Sequence, residues 1–220
     1  MADAKKGDSF MRQNRIKKCL TTVLSGILVL SLSGCGQTAK LPEEVVNTSL
    51  VVEKDGKVIS YLVNTFDKDF YSLDGLEEMV KNEAEEFNAA HADTPEEALT
   101  VKTVRALGDG AMVQVVQEFD SADSYAEYND QDLFYGTRVE ALAQGSPVNK
   151  ELVNAADGTP ADPDKLEKAL EKGHLIITNA SAYIYCPYPV LYISEGVVMG
   201  EDGSVDASQS DGVVTILMKR

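Results

Sequence analysis

The sequence predicts an α+β fold in which β-hairpins form a mainly antiparallel sheet packed by two or three helices. Three observations carry this: two glycine-containing turns flanked by β-rich runs, two amphipathic stretches with helix-start signals, and a C-terminal third of short apolar segments separated by proline and polar loops.

The first turn is Asp55-Gly56, between "TSLVVEK" and "KVISYLVNTF". That dipeptide tolerates the positive φ values of a type I′ hairpin. In the second run Val58, Leu62 and Phe66 alternate with Ile59, Tyr61 and Val63, so both sides are apolar and the spacing predicts a central strand covered on both faces. Asp74, three residues before Glu77, starts a capping-box-like pattern. Leu76, Met79, Val80, Ala84 and Phe87 then share one face of a helix over 74–90. Its other face, with Glu78, Lys81, Glu85 and Glu86, reads as solvated surface ahead of an acidic docking surface. The second hairpin joins "ALTVKTVRAL" to "AMVQVVQEF" through Gly108-Asp109-Gly110. After it, "SADSYAEYND" reads as a short helix, "DLFYGT" as a strand and "RVEALAQG" as a helical turn ended by Gly145. The turn-rich stretch from Ser146 to Asp164 is either a long surface excursion or a subdomain boundary near 145–162. Asp162 as N-cap, Pro163 at the first helical position and Gly173 past the end bracket a second clear helix, with Leu166 and Leu170 as its apolar stripe. "HLIITN", "AYIYC", "VLYIS" and "GVVTILMK" complete the β content.

The N-terminus follows a different logic. Basic "RQNRIKK", Arg12 to Lys18, precedes "CLTTVLSGILVLSLSG", a run of 16 residues interrupted by Ser and Thr. A spanning helix wants roughly 20 predominantly apolar residues. Small Ser33 and Gly34 follow, and they let an extended backbone enter a peptidase site. Leu32-Ser33-Gly34-Cys35 resembles the lipobox of bacterial lipoproteins. The resemblance implies diacylglyceryl transfer to the Cys35 thiol and cleavage before it, with two acyl chains each burying methylenes at about 0.8 kcal/mol apiece. The expected organisation is a signal peptide over 1–34, a lipidated tether over 35–47 and one extracytoplasmic α+β domain over 48–220. Two acids ahead of the basic region make Met11 the expected initiation site, or the first ten residues an extension. The segments "VVEKDGKVISYLVNTFDKDFY" and "FYGT" loosely resemble uncharacterised lipoproteins of anaerobic Gram-positive bacteria, a resemblance that implies no activity.

The chain carries 20 Lys+Arg against 36 Asp+Glu. Without the first 34 residues, 14 basic and 34 acidic residues remain, a net charge of −20. Such a field repels nucleic acid and anionic lipid and attracts basic partners. Nucleic acid is therefore not an expected partner; the membrane, through a diacylglyceryl anchor, and a protein or glycan are.

Candidate chemistry is sparse. With Cys19 in the signal and Cys35 acylated, Cys186 is the one remaining thiol, and between tyrosines it reads as a small core hydrophobe. Asp67, Asp69 and Glu78 have the outer spacing of an EF-hand loop, but Tyr71 and Ser72 stand where an oxygen ligand and a glycine are required. Glu201, Asp202, Asp206 and Asp211 show no ligand order, so no metal site is expected. His91 at a helix end and His174 at a strand start read as structural, and no cofactor fingerprint occurs. Tyr183, Tyr185, Tyr188 and Tyr192 are the candidate binding surface, since exposed tyrosines stack on sugars or meet protein partners, although packing is the leading reading for them. The expected function is a membrane-anchored, non-enzymatic binding or interaction module. The alternatives are a cell-surface hydrolase acting on wall or sugar substrates and a structural accessory subunit of an envelope complex.

Overall fold

The computed structural model describes residues 39–68, 70–92 and 97–220. In chain order the elements are β1 (Ser49–Val52), β2 (Val58–Thr65), α1 (Leu73–Ala90), β3 (Leu99–Leu107), β4 (Met112–Phe119), α2 (Ala122–Asn129), β5 (Leu133–Gly136) and α3 (Arg138–Ala143). They continue with β6 (Leu152–Asn154), α4 (Pro163–Lys172), β7 (His174–Thr178), β8 (Tyr183–Tyr185), β9 (Val190–Ser194), β10 (Val198–Met199), β11 (Val205–Asp206) and β12 (Val214–Met218). The α+β class holds, with two sheets instead of one. A seven-stranded sheet runs β10-β11-β8-β1-β2-β4-β3, and a five-stranded sheet runs β5-β7-β12-β9-β6. Every pairing is antiparallel except β1 with β8.

The period-2 geometry of strands sorts the apolar residues into layers. On β12, Val214, Ile216 and Met218 belong to one core with Leu50, Val52 and Ile184 of the larger sheet, while Leu217 joins a second core with Leu166 and Leu170 of α4 and Ala141 of α3. On β7, Ile176 faces the first core and Leu175 and Ile177 the second. The smaller sheet is thus covered on both faces, by the larger sheet on one side and by α3 and α4 on the other. At the β4-β3 end of the larger sheet the cover comes from helices instead. Tyr125 and Tyr128 of α2 stand against the fully buried Phe119, with ring centroids 5.3 and 5.6 Å away. The second half of α1 adds Ala84 and Phe87.

Several details depart from the sequence reading. In the first hairpin only Gly56 has positive φ (95°). The Glu53 N–H donates to the Lys57 carbonyl (2.8 Å) and the Gly56 N–H to the Glu53 carbonyl (3.1 Å), which is a three-residue loop with glycine in the left-handed position, not a type I′ turn. Ser72, not Asp74, caps α1, its Oγ accepting from the Gly75 N–H at 3.2 Å. Asp74 sits in the first turn, where a carboxylate favours the helix dipole. β2 is central by pairing but loses its cover along its length: Val58 is fully buried, whereas Leu62 is 42% exposed. The stretch read as a surface excursion or a boundary contains β6, which pairs with β9 and buries Leu152 in the second core, so it is part of the same fold.

Residues 40–47, expected as tether, lie on the domain. The Lys40 N–H donates to the Asp202 carbonyl (3.1 Å), Val45 is buried, and its carbonyl accepts from Gln114 Nε2 (2.6 Å). The signal peptide, Met11, the lipobox with Cys35, and Asp69 fall outside the described residues. No helix among the described residues is long and apolar enough to cross a membrane.

Candidate functional site

The seven-stranded sheet is wider than what covers it, and the shortfall makes the site. Strand register puts Val58, Ser60, Leu62 and Asn64 of β2 on one sheet face with Phe119, Gln117, Val115 and Val113 of β4. At the Val58-Phe119 end that face is core. At the other end Leu62, Val113 and Val115 floor a groove of about 500 Å³. Leu76 and Met79 of α1 form one wall, and Phe66, Phe70 and Tyr71 another.

The local sequence explains each wall. Asn88 ties the far end of α1 to β3, its Nδ2 donating to the Leu99 carbonyl (2.7 Å) and its Oδ1 accepting from the Leu99 N–H (2.9 Å). Near the start of the helix, by contrast, Leu76 and Met79 are left without sheet cover, and Met79 is 49% exposed. Gly75 lines the groove without a side chain. The β2-α1 connection turns through the Tyr71 N–H to Lys68 carbonyl bond (2.9 Å), which stacks Tyr71 on Phe66 (centroids 5.0 Å) and sets Phe70 edge-on against Tyr71 (4.9 Å). Phe70 is 81% exposed. An aromatic ring standing in solvent beside an apolar groove is the kind of surface that binding covers.

No carboxylate or imidazole lines this groove among the described residues; its polar groups are Asn64, Thr65, Ser72 and the Tyr71 hydroxyl. The arrangement can hold an apolar group and exclude water from it. It offers no acid-base pair for proton transfer.

The structure disperses the four candidate tyrosines. Tyr183 is half-buried on the opposite face of the larger sheet, where it and Tyr61 flank Ser49 across neighbouring strands. Tyr185 shares that face, as the alternation predicts, but is only 6% exposed and donates its hydroxyl to Asp202 Oδ2 at 2.7 Å. Burial, then that bond to a carboxylate, pushes the Tyr185 hydroxyl's pKa well up. Tyr192 is 8% exposed in the second core, within the other sheet. Tyr188 packs edge-on to His174 (5.7 Å), with Lys54 Nζ 5.5 Å above its ring. Tyr185 and Tyr192 are core residues, so the four do not form one exposed surface.

The remaining candidates have structural partners. The Cys186 thiol is buried, which pushes its pKa up to about 12. Asp202 accepts from the Ser204 N–H (3.0 Å) and hydroxyl (2.6 Å), and Asp206 does the same for Ser208 (3.0 and 2.7 Å). Burial works to raise the Asp202 pKa, but the bonds from Ser204 and Tyr185 outweigh it and hold the carboxyl below its ordinary range. Among the described residues no group of three or more His, Cys, Asp or Glu is placed to hold a metal ion.

The groove was missed by sequence reasoning, which put Leu76, Met79 and Leu62 into the core. The available signal was Phe70-Tyr71 in "DKDFY", an aromatic pair in a charged connection where neither strand nor helix requires it. Set against known proteins, the chain matches no protein-family model, no curated protein and no solved structure.

Proposed function

We propose that the chain is an exported lipoprotein, anchored through a diacylglyceryl group on Cys35 at the extracytoplasmic face of the membrane, and that its domain is a non-enzymatic interaction module binding through the groove between α1 and strands β2 and β4. The lipobox resemblance supports the anchor. The observation that carries the binding role is the open apolar groove itself, whose lining among the described residues holds exposed Leu62, Phe70, Tyr71 and Met79 and no carboxylate or imidazole. Exposed apolar area of this kind costs solubility unless something covers it. A hydrolase reading has no comparable observation behind it, because His91 is hydrogen-bonded at the end of α1 and His174 packs between Tyr135 and Tyr188.

Two variants test the parts separately. Cys35→Ala abolishes lipid labelling and leaves the precursor unprocessed; normal labelling of that variant rejects the anchor. A photo-crosslinking residue at Met79 in the anchored protein gives discrete adducts that the same residue at exposed Glu171 of α4 does not. Identical patterns from both positions reject the groove as the binding site.

A further inference from the structure

We infer that the groove takes the aliphatic chain of an uncharged amphiphile whose hydrogen-bond-donating head, an alcohol or a primary amide, sits in a polar pocket beside it. The inference rests on the groove being the binding site proposed above and names its ligand. The sheet face that floors the groove continues past Leu62. Two residues back along β2, Ser60 stands opposite Gln117 of β4, as Leu62 does opposite Val115. There Tyr125 and Asn129 of α2 and residues 180–182 enclose a smaller cavity of about 80 Å³, and Leu62 borders both it and the groove. Every polar side chain lining this second cavity is an uncharged hydroxyl or amide.

Two of these polar groups are buried with hydrogen-bonding capacity left over. Ser60 is 7% exposed, and its Oγ has no partner among the described residues. Gln117 is 5% exposed. Its Nε2 donates to the Tyr128 hydroxyl (3.3 Å), which in turn donates to Glu83 Oε2 (3.3 Å). That chain orients the amide and leaves Gln117 Oε1 toward the pocket with nothing to accept among the described residues. The head must therefore donate to Gln117 Oε1 while meeting Ser60 Oγ, which a carboxylate or an ether cannot do. An ammonium donates, but no carboxylate lines either cavity among the described residues, and a buried charge without a counter-charge is far costlier than a neutral group. Hydroxyl and primary amide satisfy both conditions. At about 30 Å³ for a water-sized group, the pocket holds about three non-hydrogen atoms, the size of a primary amide. The groove then selects the rest of the ligand. Its floor from Leu62 to Phe66 is about 13 Å long at about 3.3 Å per residue. An extended peptide laid there brings backbone N–H and C=O groups that apolar Leu62, Leu76, Val113 and Val115 do not answer, whereas an alkyl chain brings none.

The test is photoaffinity labelling of the anchored full protein in lipid nanodiscs, with adducts mapped by peptide mass spectrometry. The probes are decanamide, decanoate and decylammonium, each with a diazirine at the tail, and a headless alkyl diazirine. Because every probe also partitions into the bilayer, each is compared with itself across variants. Decanamide labels the groove between residues 62 and 79. Ser60→Ala with Gln117→Leu raises the concentration for half-maximal decanamide labelling tenfold or more and leaves the headless probe unchanged. Leu62→Ser with Met79→Ser, both at exposed positions, weakens both probes tenfold or more. Asn129→Asp, at a half-buried position, puts a carboxylate at the pocket and raises decylammonium labelling fivefold or more while lowering that of decanamide; it carries the test if the buried pair loses its native circular dichroism spectrum. Decanamide labelling indifferent to the Ser60 and Gln117 pair in a folded variant, or to Asn129→Asp, overturns the inference, as does decanoate or decylammonium responding to the pair as strongly as decanamide. If the headless probe still labels the groove in those cases, the groove survives as a site and only its ligand's chemistry is wrong; if no probe labels it, both readings fall.

Discussion

His91 and His174 show how far single environments diverge within one small fold. His91 caps α1: its Nδ1 meets the Phe87 carbonyl at 2.8 Å and its Nε2 meets Glu127 Oε2 at 3.2 Å. The Phe87 carbonyl first, then Glu127, favours the imidazolium and raises the pKa above its ordinary 6.5. His174 lies between the rings of Tyr135 and Tyr188, 5.6 and 5.7 Å away, with Nδ1 buried and unpartnered. Burial first, then the Arg220 charge, lowers its pKa, with Glu140 opposing. The two contributions to stability therefore run oppositely with pH. The one from His91 is fully present below 6.5 and is lost as pH rises through its folded pKa; the one from His174 is present above 6.5 and is lost as pH falls through its folded pKa. The imidazole C–H resonances of a two-histidine protein are easily resolved by NMR. They titrate on either side of 6.5, and Glu127→Gln moves the upper one down without moving the lower. Coincident midpoints contradict this. The sequence exposed half of the result: a histidine after "EEFNAA" reads as a helix end, whereas nothing local to "KGHLI" announces that Tyr135 and Tyr188 converge on it.

Elements were legible where their signals are local. Asp162, Pro163 and Gly173 bracket α4 as expected, although Gly173 is needed for a different reason than a left-handed cap. Its φ is −83°, and an added Cβ would lie 2.5 Å from the Met218 carbonyl oxygen and 2.8 Å from that of Ala169. Both hairpins and α2 were legible for the same reason. Two-residue β10 and β11 were not, because strands that short carry no period. α1 is the instructive case, since its apolar face reads as continuous from Leu76 to Phe87 but only Val80 and Ala84 are buried. Periodicity tells which face of a helix is apolar and cannot tell how far the sheet beneath extends. The far end is held by the two hydrogen bonds between Asn88 and Leu99, and the groove depends on that anchorage. Asn88→Ala leaves the Leu99 N–H and carbonyl unpaired, at a cost of about 1–3 kcal/mol. Urea denaturation measures it. A loss below about 0.5 kcal/mol would show that packing of Ala84 and Phe87 fixes the helix without the asparagine.

The fold as a whole also decides how the domain is held at a membrane under the lipoprotein reading. A free tether from Gly36 to Asn47 would reach about 40 Å at about 3.5 Å per residue. With residues from Lys40 docked, only the five steps from Cys35 remain, a reach of about 18 Å at most. The docking depends on the whole sheet: Lys40 meets the β10-β11 turn at Asp202, while Val45 lies over β4, where Gln114 is 1% exposed and its amide is shared between the Val45 carbonyl and Arg105 Nε (2.9 Å). Removing the segment costs the burial of one valine, about 1.5–3 kcal/mol. It also leaves a buried amide donor unpaired, about 1–3 kcal/mol. A domain beginning at Thr48 is therefore about 2.5–6 kcal/mol less stable than one beginning at Gly36, as read by urea midpoints with unchanged slope. Such a loss makes residues 40–47 structural and fixes the Asp202 end of the sheet near the anchor. Equal stability would return them to a flexible leash, free to let the groove range some 40 Å from the membrane in search of its partner.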